Sequence, residues 1–215
     1  MDTPEHLSQA LATTQDIAGI VRIMKTLSAA SIRQYERAEA ALASYDHTID
    51  LGLAAAMRLQ WTPPIQELAN PAPRRAMIVI GSDRGLCGRY NEAVAEHALT
   101  CGAAQAAPLA VVGARAASVL QAQGCDIAEM HLSPASAKAL TPLVQSLIVA
   151  IDRWRTDEGV SAVTLVYTHR PDGNRTGAVD RALWPVPTGE LVALARMPWP
   201  GPSAPWARLP AERVL

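Results

Sequence analysis

Ala76-Met-Ile-Val-Ile-Gly81 runs directly into Ser82-Asp-Arg-Gly-Leu-Cys-Gly88 and then Arg89-Tyr90-Asn91. A short apolar run that stops on a glycine reads as a strand buried on both faces. The glycine-bearing stretch after it reads as a strand-to-helix turn. Reading downstream, the spacing predicts a helix over 90–99, a buried strand over 108–112, and a helix over 114–123 closed by Gly124. A third strand is expected over 126–132. Ser133-Pro134 then looks like the opening of a long helix reaching Trp154 or beyond, since Ser caps well and Pro suits a first turn. Strands follow over 162–168 and 177–186. Alternating strands and helices imply a mostly parallel sheet covered on its faces. The final strand is expected to return antiparallel across a Pro171-Asp-Gly turn.

Reading upstream, the chain is proline-free from residue 5 to residue 58, with Gly19 and Gly52 its only glycines there. Apolar or small residues recur from Ile17 through Ile20, Met24, Leu27 and Ser31 to Leu53 in steps of three and four, the period of a helix. Such a helix would be ~80 Å long at 1.5 Å per residue. An extra four-residue step at Ser31, Tyr35, Ala38 is a stutter that relaxes a left-handed supercoil. Small residues at Ser28, Ala29, Ala30 and Ser31 would let another backbone approach. A seam packed along a second long helix and an amphipathic helix wrapped on its own domain both fit this pattern. Trp61-Thr-Pro-Pro64 and a loop with Pro71 and Pro73 break the helix. The end of the chain carries Pro187, Pro198, Pro200, Pro202, Pro205 and Pro210, which reads as an extended tail without helix. The expected organisation is a helix over 4–60, an α/β domain over 74–186 and a proline-rich tail over 187–215.

With a net charge of −1, the chain has no global field to recruit nucleic acid or an acidic membrane. Its apolar stretches fall short of the ~20 residues of a membrane helix, and no leader pattern opens it. The three cysteines, Cys87, Cys101 and Cys125, match no zinc spacing and suit reduced thiols. His6, His47, His97, His131 and His169 are scattered without a two-histidine ligand spacing on one helix face. No catalytic residue, metal site or cofactor is expected.

The turn 81–88 stands where phosphate-binding loops stand, at the start of a helix. It lacks the Gly-Lys-Ser/Thr ending of a P-loop, and its glycines at 81, 85 and 88 miss the dinucleotide spacing. Asp83 would also set a carboxylate against a phosphate. The pattern favours a tight turn held by Asp83 and Arg84, with Cys87 a thiol inside it. On the long helix, Arg22, Lys25, Arg33 and Arg37 read either as a solvated face or as a basic shaft meeting an acidic partner.

Two stretches together resemble one family. Thr13-Thr-Gln-Asp-Ile-Ala-Gly-Ile-Val-Arg-Ile-Met-Lys-Thr-Leu-Ser-Ala-Ala-Ser31 is similar to the N-terminal helix of gamma subunits of F-type rotary ATP synthases. Ser82-Asp-Arg-Gly-Leu-Cys-Gly88 with Tyr90-Asn91 resembles that family's loop at the head of its globular domain. Gln34-Tyr35-Glu36 and Asp50-Leu-Gly-Leu53 are most similar to the alternative, N-type branch. The resemblance implies an α/β protein: a long N-terminal helix, half of an antiparallel coiled-coil shaft, followed by a Rossmann-like α/β domain. In the family a second long helix returns at the C-terminus, and the resemblance leads us to expect that this helix is lacking here.

The resemblance implies a non-catalytic central-stalk role, coupling proton or sodium flow to ATP synthesis or hydrolysis by rotation. The implied partners are the alpha and beta subunits, the epsilon subunit and the membrane c-ring, with no nucleic acid and no membrane insertion. Met24 and Lys25, with Arg22 beside them, would meet the alpha/beta hexamer. Asp83, Arg84, Gly85, Leu86, Cys87 and Gly88 would form the globular-domain loop facing the base of the stalk. The implied location is the cytoplasmic face of a bacterial inner membrane, as a peripheral protein. A nucleotide- or small-molecule-binding module with a helical oligomerisation arm, and a truncated gamma paralogue that does not rotate, are the alternatives.

Overall fold

A computed structural model describes residues 3–58, 74–170 and 177–203. Helix α1 is continuous from Pro4 to Arg58. Thr13, Thr14, Thr26, Ser31 and Thr48 satisfy their hydroxyls inside the helix, donating to carbonyls one turn back, as Thr13 does to Gln9 (2.9 Å) and Ser31 to Leu27 (3.1 Å). Most of its apolar seam lies open: Ile17, Ile20, Leu27, Leu42 and Tyr45 are exposed, whereas Met24 and Tyr35 are half-buried. The chain divides into two compact units, Met1–Thr48 and Ile49–Leu215. The last turns of α1 therefore belong to the second unit, where Ala54 and Ala56 are buried. The break and loop expected over 61–73 lie outside the described residues, as does the Pro171-Asp-Gly turn.

The second unit is built on a five-stranded sheet. Its strands are β1 (Arg75–Ile80), β2 (Leu109–Val112), β3 (Glu129–His131), β4 (Ala162–His169) and β5 (Gly177–Trp184). They lie in the order β3-β2-β1-β4-β5. The first four are parallel and β5 is antiparallel to β4, as their apolar runs and alternation with helices predict. Helices α2 (Tyr90–Thr100), α3 (Ala114–Ala122) and α4 (Leu140–Thr156) connect them.

The alternation along β1 divides the core. Met77 and Val79 face a cluster with Val94 and Ala98 of α2, Leu120 of α3 and Val166 of β4. Ala76 and Ile78 face the opposite cluster with Ala150 and Trp154 of α4 and Val163. Side chains of successive strand residues point to opposite faces, which is why a strand covered on both sides is apolar throughout. Helix α3 ends as Gly124 predicts. At φ 81° it lets Cys125 N–H donate to Leu120 O (3.1 Å), while its own N–H donates to Gln121 O (3.0 Å), so the last carbonyls are satisfied.

Strand β5 carries an irregularity opposite Val163/Thr164. Asp180 pairs with Val166, but Trp184 pairs with Val163, so the extra residue moves Trp184 to the α4 face. There the Arg155 guanidinium stacks 3.8 Å from the Trp184 ring centroid.

Two expectations fail. Ser133-Pro134 does not open α4: the helix starts at Leu140, after a short 3₁₀ turn over Ala137–Ala139. The Ser133 amide is committed elsewhere, to the carboxylate of Asp83 (2.8 Å). The tail is not free of helix either, since α5 spans Thr188–Ala195. The prolines bracket this segment at Pro187 and Pro198 and leave its interior free, with Pro187 as the residue before the first turn. Among the described residues no helix is long and apolar enough to cross a membrane.

Gly81 sits where a side chain has no room. A Cβ there would stand 2.3 Å from Ala116 Cβ and 2.9 Å from Asn91 Oδ1. Gly81→Ala is therefore expected to cost about 2–3 kcal/mol, the upper range for overpacking. Gly52→Ala, a helical position with open space around it, should be neutral or stabilising by up to about 1 kcal/mol. Urea unfolding of the two variants checks this, and equal midpoints would refute the packing argument.

Candidate functional site

The turn between β1 and α2 is organised by two side chains that belong to it only in part. Asp83 accepts from Ala114 N–H through Oδ1 (2.8 Å) and from Ser133 N–H through Oδ2 (2.8 Å). Ala114 is the first residue of α3, and Ser133 follows β3. One carboxylate thus ties the ends of β1, β2 and β3 together. It also occupies the amide-lined N-terminus of α3, an end that favours a negative charge.

Asn91, the buried polar residue of α2, holds the other side. Its Oδ1 accepts from Ser82 N–H (2.9 Å), and its Nδ2 donates to Ser82 Oγ (3.0 Å) and towards Cys87 Sγ (3.4 Å). Backbone bonds lock the same corner: Gly81 N–H to Val112 O (2.8 Å), Gly113 N–H to His131 O (2.8 Å), and Arg115 N–H to Ser82 O (3.0 Å). Gly113, at φ 105°, passes so close that a Cβ would meet Ser82 N at 2.6 Å.

The expected loop residues are all in this turn, with differing parts. Asp83 is a clamp, as the sequence suggests, but it acts across the sheet and not within the turn. Arg84 contributes through its carbonyl, which accepts from Ser82 Oγ (3.0 Å) and Cys87 Sγ (3.5 Å). Gly85 lies against the Arg115 guanidinium, 3.4 Å from where its Cβ would be. Leu86 stands at the tip, exposed and at φ 62°, an unusual conformation for a leucine. Cys87 and Gly88 are exposed, Gly88 at φ 61°.

An open cleft of ≈ 330 Å³ lies beside the turn, lined by Cys87, Arg89, Tyr90, Ala93, Thr168 and Ala178. Among the described residues lining it the cation is Arg89, which pairs with Glu96 (2.7 Å). Arg22, Met24 and Lys25 lie on α1 in the first unit, with Arg22 and Lys25 exposed and the Thr26 hydroxyl bonded back to Arg22 O (3.1 Å). They and the turn belong to separate compact units.

Sequence reading missed a second constellation. His97 and Cys101, four residues apart at the end of α2, meet Asp180 of β5. His97 Nε2 and Asp180 Oδ1 are 2.9 Å apart. The i, i+4 His–Cys pair was visible, but nothing local joins it to a strand residue so distant in sequence. Burial pushes the Cys101 thiol above its ordinary value, and the Asp180 carboxylate adds to this, partly opposed by Thr100. Burial alone raises Cys125.

A family model described as ATP synthase matches residues 3–197. The chain belongs to that family. A curated relative, the ATP synthase gamma chain of Thermobifida fusca, is 37% identical over 82 residues, 38% of this chain and 27% of the relative. The aligned region thus spans about a quarter of that relative's length. A chain in the cryo-EM structure of the Tetrahymena thermophila mitochondrial ATP synthase central stalk and c-ring shares the fold. It has a TM-score of 0.55 and 19% identity, and the match covers 81% of this chain and 75% of that one.

Two outcomes follow from the turn and the thiols. Asp83→Ala strands two backbone donors and should destabilise the α/β unit by about 2–4 kcal/mol, with Asp83→Asn losing less; a denaturation midpoint unchanged in both variants would contradict the clamp. Thiol exchange with dithionitrobenzoate should modify Cys87 first and Cys101 and Cys125 slowly. Because their folded values are raised, the stability these two thiols confer is present below the unfolded thiol range and falls as pH rises through it. Equal labelling of all three near neutral pH would contradict that order.

Proposed function

We propose that the chain is a central-stalk, gamma-type subunit of an F-type ATP synthase and not itself a catalyst. The observation that carries this reading is the continuous 55-residue helix α1, its apolar seam largely exposed, joined to an α/β sheet domain. A seam of that length is a surface for another helix. Each half-exposed Ile or Leu on it would contribute about 1–2 kcal/mol when covered. In this reading the alpha and beta subunits surround α1, and Arg22, Met24 and Lys25 meet the loops that push on the shaft. The turn 83–88 faces the base of the stalk towards the epsilon subunit and c-ring.

The rotor would then couple proton or sodium flow to ATP synthesis or hydrolysis at the cytoplasmic face of a bacterial inner membrane, as a peripheral protein. Assignment to the N-type branch, on the likeness of residues 34–36 and 50–53, is the finer part of the proposal. So is a second helix pairing with α1 to complete the shaft.

Co-expression with the alpha and beta subunits, with this chain alone and with a gamma C-terminal helix fused to it, tests the reading. A complex with ATPase activity is expected, and Arg22→Ala with Lys25→Ala should lower its turnover several-fold. Failure of both forms to join the hexamer would overturn the proposal. So would stoichiometric ATP binding by the isolated chain in calorimetry, since the turn 81–88 has neither the P-loop ending nor the dinucleotide glycine spacing.

A further inference from the structure

We propose that His97, Cys101 and Asp180 form a binding site for one divalent transition-metal ion of the zinc type. The donors would be an imidazole nitrogen, a thiolate and a carboxylate oxygen, with solvent completing the coordination. Independent of the stalk reading, the site rests on three side chains from two elements.

His97 lies in the last turn of α2 and Cys101 caps it, with Cys101 N–H donating to His97 O (3.0 Å). The backbone thus fixes both donors on one face. Asp180 comes from β5, held opposite Val166. One ligand atom from each residue lies within 4.8 Å of the other two. Around a tetrahedral ion with bonds of ~2.0–2.3 Å, neighbouring donors stand ~3.3–3.6 Å apart. The pair His97 Nε2 and Asp180 Oδ1, now at 2.9 Å, would open by only about half an ångström to admit the ion. An ion there would replace the proton shared between them.

Three further features suit a soft or borderline cation. Thiolate and imidazole favour zinc, cobalt and copper over magnesium and calcium. The site is at the C-terminal end of α2, where the helix dipole stabilises positive charge. His97 and Asp180 remain 30% and 51% exposed, so an ion can enter from solvent. Binding converts the Cys101 thiol to a metal thiolate and releases its proton to solvent, with no change of oxidation state. The ion would bridge α2 and β5, an edge strand of the sheet.

Titration of the full chain with Co²⁺ tests this. One equivalent should bind with a near-ultraviolet thiolate-to-cobalt band and tetrahedral visible absorption, both displaced by Zn²⁺. Cys101→Ser should abolish the band and Cys87→Ser should leave it intact. His97→Gln and Asp180→Asn should each weaken binding at least tenfold. In the unmodified protein, Zn²⁺ should protect Cys101 from thiol labelling while Cys87 still reacts, a readout independent of whether the variants fold. No band, a band that survives Cys101→Ser, or labelling of Cys101 unchanged by Zn²⁺ would overturn the proposal.

Discussion

The carboxylate of Asp83, with an amide bonded to each oxygen, is the interaction on which the sheet domain most depends. Parallel strands cannot be joined by hairpins, so their ends must be fastened by their connections. Here β1, β2 and β3 finish at one point, and Asp83 from the first receives the N–H of Ala114 beyond the second and of Ser133 beyond the third. The near-contact of Gly81 and Gly113, the buried amide of Asn91 and the positive φ of Leu86 all accommodate that convergence. The same bond has a chemical consequence. A helix N-terminus favours an anion, and at α3 this chain supplies its own, so that end serves as a structural knot.

Helix α1 poses the opposite problem. The sheet domain covers its apolar surface with its own helices, leaving Trp154, Ile78 and Leu109 fully buried. Along α1 the threonine hydroxyls are satisfied internally, yet Ile17, Ile20, Leu27 and Leu42 remain open. In a soluble helix most stability comes from packing of the apolar face and little from propensity alone. A seam left uncovered over so many turns is therefore a surface suited to a partner helix.

Much of this was legible in the sequence because the signals were local. The apolar run 76–80 and the glycine after it define β1 and its turn, and Gly124 marks the end of α3 by its left-handed backbone. The seam of α1 is visible as a period of three and four. Ser133 misled because its local signal as a cap was overridden by a carboxylate fifty residues earlier in the chain. Helix α5 was hidden by the density of prolines around it, although none falls between Thr188 and Met197. The His97–Cys101–Asp180 group depends on β5 lying antiparallel beside β4, with α2 over the same face, and that arrangement is tertiary.

Strand β5 is one of the two edges of the sheet, β3 being the other, and side-chain ties on both of its faces supplement its ladder to β4. An edge strand has one row of ladder hydrogen bonds where an interior strand has two. Its irregularity sends Asp180 to the α2 face and Trp184 to the α4 face, so one strand is held from both sides. Arg181 adds a tie to Glu190 of α5 (3.2 Å). Exposed ion pairs of this kind contribute at most about 1 kcal/mol each. They set the position of the strand more than they stabilise it, and a stronger bond across α2 and β5 would tie that edge to the helix layer, which its ladder to β4 does not reach.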